Sequence, residues 1–516
     1  MINFPSEMKL RWSTLLISTI CQYLLSDPRG FYVRLTQRMS ESHFPLAQSV
    51  SKNLPTLQSN CSKTDELSKM GELTKAIELI EDSEQDSILN QSKIDELRFQ
   101  LHELKRPAID SPTCSNKGGK HRVLHVLTNS LPHTQSGYTL RSHNVLSAQK
   151  NAGIECAAVT RIGYPLLVGK FPQSLNEHID GIDYYRVLPW VLPRNKETQF
   201  EMYVNAVCKI ANEFGATAIQ TTTDFKNAQV ASAVAVRLGI PWVYELRGEL
   251  ESTWLSKVPL EYKQRAGSSE FYQLARVQET AQMKSAARLV ALSHIYKSEI
   301  AARGIDPEKV TVVPNSIDSA ELERRVDREK LRGELGLENC QTIGTVSSLV
   351  GYEGIDDLIE SLLHLPEAVK LLVVGDGEAR PRLEAKAKEL NLESRVRFVG
   401  RQPHSTIWKW YAALDVFVIP RKDLEVTRRV TPIKGLHAQA LGIPVVASDL
   451  PAIREVTGGC AQYVHPESPE LLAAAIQDAL NDSNQERAKE WAASRTWDAA
   501  GKTYKKLYDE LVATQY

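Results

Sequence analysis

Several things are scarce or missing in this chain, and each absence excludes a class of protein. The seven cysteines (21, 61, 114, 156, 208, 340, 460) are scattered and odd in number, and none forms a C-x-x-C pair. That excludes a disulfide framework and a structural zinc site, and it fits reduced thiols in a cytoplasmic compartment. Formal net charge is −1, so no global field draws the chain to nucleic acid, and any basic site must be local. No window reaches the roughly 18 apolar residues of a membrane span. The nearest, Leu15 to Leu25, is interrupted by Ser18, Thr19 and Gln22 and is followed by no small-x-small cleavage site. It reads as an amphipathic helix rather than a secretory signal. Trp12 and Tyr23 flank it, and Lys9, Arg11, Arg29, Arg34 and Arg38 lie near, a composition suited to peripheral membrane contact. The expected location is therefore cytoplasmic, with the inner face of the membrane as a peripheral option. An Asp-x-Asp metal motif beside a strand end is also missing.

What is present is a chain of 516 residues, 42% apolar, long enough for two to four domains with sizeable cores. Residues 1–120 form one compositional unit. Leu10, Leu16, Ile17, Ile20 and Leu24 recur at helical spacing, Asp27-Pro28 reads as a helix start, and Phe31, Tyr32 and Leu35 supply the next apolar face. Residues 40–60 are a polar loop by composition. Leu67, Met70, Leu73, Ile77 and Ile80 predict an amphipathic helix, and Ile94, Leu97, Leu101 and Leu104 a second. This hairpin is either a helical extension packed on the body, the favoured reading, or a docking module for a protein or membrane partner. Pro107, Pro112, Gly118 and Gly119 mark a linker.

From Arg122 onward, short apolar runs alternate with helical segments. Strands are expected at 123–127, 155–160, 183–188, 217–222, 242–246, 289–292 and 310–313, and helices over 140–151, 200–214, 227–238 and 267–287. A second alternation places strands at 342–346, 370–374, 396–399, 416–419 and 444–447. Helices between them cover 355–363, 380–390, 405–413 and 432–441. This pattern predicts two tandem α/β doubly wound domains with parallel sheets, binding ligands at the carboxyl ends of the strands. The expected boundaries are 1–120 for the helical extension and linker, 121–318 and 319–492 for the two Rossmann-like domains, and 493–516 for a C-terminal helix. Trp497, Ala500, Tyr504, Leu507, Tyr508 and Leu511 give that helix an apolar face for packing back on the N-terminal domain.

The stretch from Arg428 to Asp449 reads as a basic loop, a short helix starting near Pro432 and ended by Gly442, and a buried strand. Cations before a helix N-terminus suit an anion, most often a phosphate.

With Leu127 to Tyr138, Val313 to Asp318, Gly375-Asp376-Gly377-Glu378, Val399-Gly400 and Tyr411 to Pro420, this stretch resembles the retaining, group 1 glycosyltransferases of family 4 with the GT-B fold. The resemblance covers about residues 121 to 513. Val243 to Gly248, with Glu249, Glu251 and Trp254, looks like a subfamily that modifies extracellular polysaccharides. It implies two Rossmann-like domains facing across a cleft, with an acceptor side and a nucleotide-sugar side. It also implies a metal-independent hexosyltransferase with no cofactor beyond its nucleoside-diphosphate-sugar donor, acting on a glycan or lipid-linked acceptor.

The sequence departs from that family in three places. Ser348 and Glu353 stand at the expected Arg/Lys phosphate clamp, Arg429 and His437 at the two positions of Glu-x7-Glu, and Arg247 where a histidine is common. Glu353 must therefore point away from the phosphates or be compensated, with Arg421, Lys422, Arg428, Arg429 and Lys434 the available cations. A solvated loop face is the favoured reading of Arg421, Lys422 and Arg428. Arg247, Arg429 and Lys434 are the expected catalytic residues. Gly137, Tyr138, Gly351, Gly375, Gly400, Thr431 and His437 are the expected donor or nucleotide contacts. For Arg247, a structural salt bridge with Glu245 or Glu249 weighs equally. The alternatives are a weak or inert GT-B binding partner of a polysaccharide pathway, and a sugar-nucleotide 2-epimerase, whose acid/base carboxylates the stretch lacks.

Overall fold

The computed structural model describes residues 6–26, 63–82, 88–112, 120–337, 340–481 and 485–513. The expected helix start at Asp27-Pro28, the Phe31-Tyr32-Leu35 face, the 40–60 loop and part of the linker lie outside these residues. The chain divides into two compact units, Met1–Val290 with Leu507–Tyr516, and Ala291–Lys506. That division falls ahead of the expected boundary at residue 318.

The first unit is built on the strands β1 Arg122–Leu127, β2 Glu155–Thr160, β3 Asn176–Ile179, β4 Ile182–Arg186, β5 Ala218–Thr222, β6 Trp242–Leu246 and β7 Arg288–Ala291. Their order is β3-β4-β2-β1-β5-β6-β7. The β4-β2, β2-β1, β1-β5 and β5-β6 pairs are parallel. Strands β1, β5 and β6 are buried on both faces, and β5 and β6 bury the polar side chains of Gln220 and Glu245 in a hydrogen bond to each other. Strand β3 was not expected from the sequence. It pairs antiparallel with β4, across Asp180 and Gly181, both at positive φ. Asp-Gly between two apolar residues is a hairpin signal, and it was legible in the sequence.

The helical extension shares the core of the first unit. Helices Leu73–Glu81 and Ile88–Lys105 bury Leu73, Ala76, Ile77, Ile80, Ile94, Leu97 and Leu104 against Phe225, Phe271 and Ala275. Each fully buried Leu or Ile contributes roughly 1.5–3 kcal/mol. Polar ties fix the register: Thr74 N and Oγ1 donate to Glu270 at 2.8 and 2.7 Å, and Arg106 forms a bidentate pair with Glu197. Helix Ser6–Ser26 packs Trp12 and Leu15 onto Leu166, Leu188 and Leu192.

The second unit begins with β8 Val310–Val312 and carries β9 Gln341–Val346, β10 Val369–Val374, β11 Val396–Gly400, β12 Val416–Ile419, β13 Val445–Ser448 and β14 Gln462–Val464. Strands β9 to β14 make a sheet in the order β11-β10-β9-β12-β13-β14, with every pair parallel. Ile317 bridges to Thr496 just before the last helix, Trp497–Ala513. The expected face of that helix is buried at Ala500, Tyr504, Leu507, Tyr508 and Leu511. Within the first unit, the Tyr508 hydroxyl donates to Gln220 Oε1 at 2.5 Å.

Candidate functional sites

In each unit the strand order reverses at one point, β1/β5 in the first and β9/β12 in the second. Such a reversal point is the usual place for a ligand in sheets of this kind.

At β9/β12 the loops are sewn together. Gly354 has φ +68°, and a Cβ there would overlap the Pro420 carbonyl oxygen, so only glycine lets the loops after β9 and β12 meet. This contact delivers Glu353 to Arg421. Arg421 Nη2 donates to Glu353 Oε1 at 2.9 Å and Nε to Oε2 at 3.3 Å. Lys434 Nζ donates to the same carboxylate at 2.6 Å and to Ser347 Oγ at 2.5 Å. Burial pushes Glu353 up, but Lys434 and Arg421 hold it below the usual carboxylate range. Burial, with the like charge of Arg421, lowers the Lys434 ammonium to about 8 despite Glu353.

The other cations of this region are also engaged. Lys422 Nζ sits 2.9 Å from Asp356, and Arg428 pairs with Asp423 on the surface. Arg429 Nε lies 2.7 Å from Glu299 and Nη2 2.9 Å from Glu425. These positions correct two expectations. Arg421 is buried rather than solvated. The stretch 428–432 is not a simple basic loop, because Arg428 and Arg429 close a short helix, Glu425–Arg429. The next helix is Lys434–Ala440, starting two residues after Pro432. Glu425 before the arginines was the available signal for the extra turn: an acid in the first turn and cations in the last suit the helix dipole.

His437 is held on that second helix. Its Nδ1 lies 2.7 Å from Glu321 Oε2, and its ring packs on buried Tyr411 at 5.7 Å. Burial pushes Glu321 up, and the His437 contact more than reverses this. The sequence reading missed Glu321, which comes from a helix over a hundred residues away with no motif to mark it.

The expected glycines divide by geometry. A Cβ at Gly351 would meet nothing within 4 Å, leaving room for a ligand. A Cβ at Gly375 would overlap the Ser347 carbonyl, and Gly375 N donates to Gly400 O at 3.0 Å. Gly375 thus lets neighbouring backbone approach closely, while a Cβ at Gly400 would meet only the Arg380 guanidinium at 3.4 Å. Thr431 borders a void of about 10 Å³ with Asn315, Leu436 and Glu455, room for about one water.

At β1/β5 the crevice is open, with a cavity of about 270 Å³. It is lined by Thr128 and Asn129 after β1, Thr222 to Asp224 after β5, Arg247 and Glu249 after β6, and Tyr138, Thr139 and Ser142. Ser136 caps helix Gly137–Asn151, accepting from Thr139 N, so the helix begins three residues earlier than expected. Around Gly137 a Cβ would find open space. Buried Asn129 Oδ1 has no hydrogen-bond partner among the described residues, and burial raises the Asp224 carboxyl.

Arg247 lines this cavity, but its guanidinium is held. It donates to Glu245 at 3.0 and 3.2 Å, to Tyr138 O at 2.9 Å and to Ser142 Oγ at 2.8 Å. Fully buried Glu245 also accepts from Arg141 at 2.8 Å and Gln220 at 3.1 Å. Burial pushes Glu245 up, and the two arginines take it far below the carboxylate range. The salt-bridge reading of Arg247 is the one the structure shows. It positions the helix start rather than presenting a free cation.

Two families match the chain: residues 136–316 match "Glycosyl transferase 4-like domain" and residues 340–482 match "Glycosyl transferases group 1". Between them they cover more than half of it. The chain carries a glycosyl transferase 4-like domain followed by a group 1 glycosyl transferase domain. The chain is similar to the D-inositol 3-phosphate glycosyltransferase of Xylanimonas cellulosilytica, 29% identical over 40% of the chain and 52% of that protein. It also resembles an uncharacterized glycosyltransferase of Methanocaldococcus jannaschii, 28% identical over 38% of the chain and 51% of that protein. The chain thus spans about half the length of the curated relatives it matches. Among solved structures it resembles HepE of Anabaena in complex with UDP, with TM-score 0.58, 18% identity, and coverage of 75% of this chain and all of that one. At that identity the likeness establishes the fold, which is GT-B.

Proposed function

We propose that this glycosyltransferase moves a hexose-type sugar from a nucleoside diphosphate to a glycan or lipid-linked acceptor with retention. In that reaction the bond from the anomeric carbon to the diphosphate oxygen breaks. The acceptor oxygen bonds to that carbon on the same face, and its proton passes to the leaving phosphate. No metal or cofactor is required in this reading. Charge grows on the leaving diphosphate, so cations set in place beforehand lower the barrier.

The observation that carries the proposal is the Lys434 ammonium at the β9/β12 switch point, beside Arg421, on a carboxylate it can exchange for phosphate. His437, oriented by Glu321, is assigned to the nucleoside ribose, through its second ring nitrogen. Gly351 gives the donor room. Arg429 is a rim cation that an anion would have to win from Glu299 and Glu425. The hydroxyl- and amide-lined cavity of the first unit, with Tyr138 at its edge, is assigned to the acceptor. The UDP and UDP-glucose complexes of Anabaena HepE support a nucleotide-sugar donor.

Calorimetry with a panel of nucleoside diphosphates, followed by donor hydrolysis, tests this. Binding of at least one, and loss of turnover by about a hundredfold or more in Lys434→Ala, is expected. Unchanged turnover in that variant removes Lys434 from the reaction. Failure to bind any of the panel leaves the inert-partner reading.

A further inference from the structure

Helix Ser6–Ser26 carries apolar residues on both sides. One side buries Trp12 and Leu15 in the first unit, and Gln22 Nε2 donates to Leu192 O at 2.8 Å. The opposite side presents Leu10 and Ile17, each 61% exposed, and Ile20. Ser13, Thr14 and Cys21 share this side, so from Leu10 to Cys21 the outward face carries no charge, where an ordinary surface helix would place charged groups; Glu7 precedes it by one turn. Exposed aromatics of the segments it packs on lie beside its Trp12 and Arg11. Phe171 lies 6.3 Å from the Trp12 ring, and Trp190 lies under the Arg11 guanidinium.

The neighbouring helix Ile88–Lys105 mixes Lys93 and Arg98 with Asp95 and Glu96, whereas the other segments beside the patch are basic. Residues 8–26, 161–175 and 187–195 contain no Asp or Glu. Arg161, Lys170 and Arg194 in these segments are exposed and make no ion pair among the described residues. Apolar residues, ring edges and a basic rim in one patch match an interface of acyl chains beneath anionic headgroups. No helix among the described residues is long and apolar enough to cross a membrane, so this one would lie flat.

We propose that this face seats the protein on a membrane surface rich in anionic lipid. The proposal does not depend on the assigned chemistry. The full chain is sedimented with vesicles of phosphatidylcholine, alone or mixed with phosphatidylglycerol. Binding to the mixed vesicles is expected, weakening as salt rises. Ile17→Asp, at an exposed position that leaves the helical signal in circular dichroism intact, weakens it about tenfold or more. Lys170→Glu with Arg194→Glu weakens it at low salt only. No binding, equal binding to both vesicle types, or indifference to Ile17→Asp overturns the proposal. So does a dimer that Ile17→Asp converts to monomer in light scattering without any vesicle binding, which would make the face a contact between copies.

Discussion

Two buried carboxylates, Glu245 in the first unit and Glu353 in the second, each stand between two cations at the carboxyl end of a sheet. Glu245 holds Arg141 and Arg247, and Glu353 holds Arg421 and Lys434. The two clusters differ in what else their members do. Arg247 is also bound to Tyr138 O and Ser142 Oγ. Glu245 continues through Gln220 to Gln149, His125 and Tyr508, a buried network that settles one geometry. Among the described residues Lys434 has only Glu353 and Ser347 as hydrogen-bond partners, and its ammonium is already lowered to about 8. The first cluster is fixed and frames an open cavity. In the second, Arg421 is also tied to Val430 O, and the lysine, with fewest ties, is the cation an incoming phosphate can claim.

The largest test of this contrast is Glu245→Ala, which leaves two buried arginines without a counter-charge. A loss of about 4 kcal/mol is expected, read as a lower urea midpoint. Glu353→Gln should cost less, about 2 kcal/mol, because Lys434 can shed its proton there. The same change should tighten nucleoside-diphosphate binding in calorimetry; weaker binding would show that Glu353 helps the donor rather than masking the cations. The third test is pH. With the ammonium titrating at about 8, Lys434 is charged below that value and neutral above it. Donor affinity should therefore hold at pH 7 and fall about tenfold by pH 9. Lys434→Arg, which stays protonated, should flatten that profile. The smallest effect is expected from Tyr508→Phe, about 1 kcal/mol for one hydrogen bond in a network with other ties. A loss as large as that of Glu245→Ala would make Tyr508 the keystone of the cluster.

Much of the fold was legible because strand and helix signals are local. The runs at β1, β5, β6, β9, β10 and β12 and the helices between them follow from apolar periodicity and turn residues. Strand β3 escaped, despite its Asp-Gly turn, because Asn176–Ile179 is short, mostly polar and at an edge. Site residues were legible as types more than as partners. Lys434 was marked by its place in the basic stretch, and Glu353 by the conflict it posed for a phosphate site. Arg421 was misread because nothing local shows that Gly354 brings the two loops together. Arg429 looked free because Glu299 is far from it in sequence.

The sequence by itself determined the two alternating α/β units, the likeness to group 1 glycosyltransferases and the conflict at Glu353. These depend on residue types and short spacings, which the chain carries wherever it folds. Only the tertiary structure decided which cations are engaged. Arg141 lies with Glu245, Arg429 with Glu299, His437 with Glu321, and Arg421 and Lys434 share Glu353. An ion pair forms between side chains within about 4 Å, and the loops at the sheet ends bring together residues that the sequence keeps far apart.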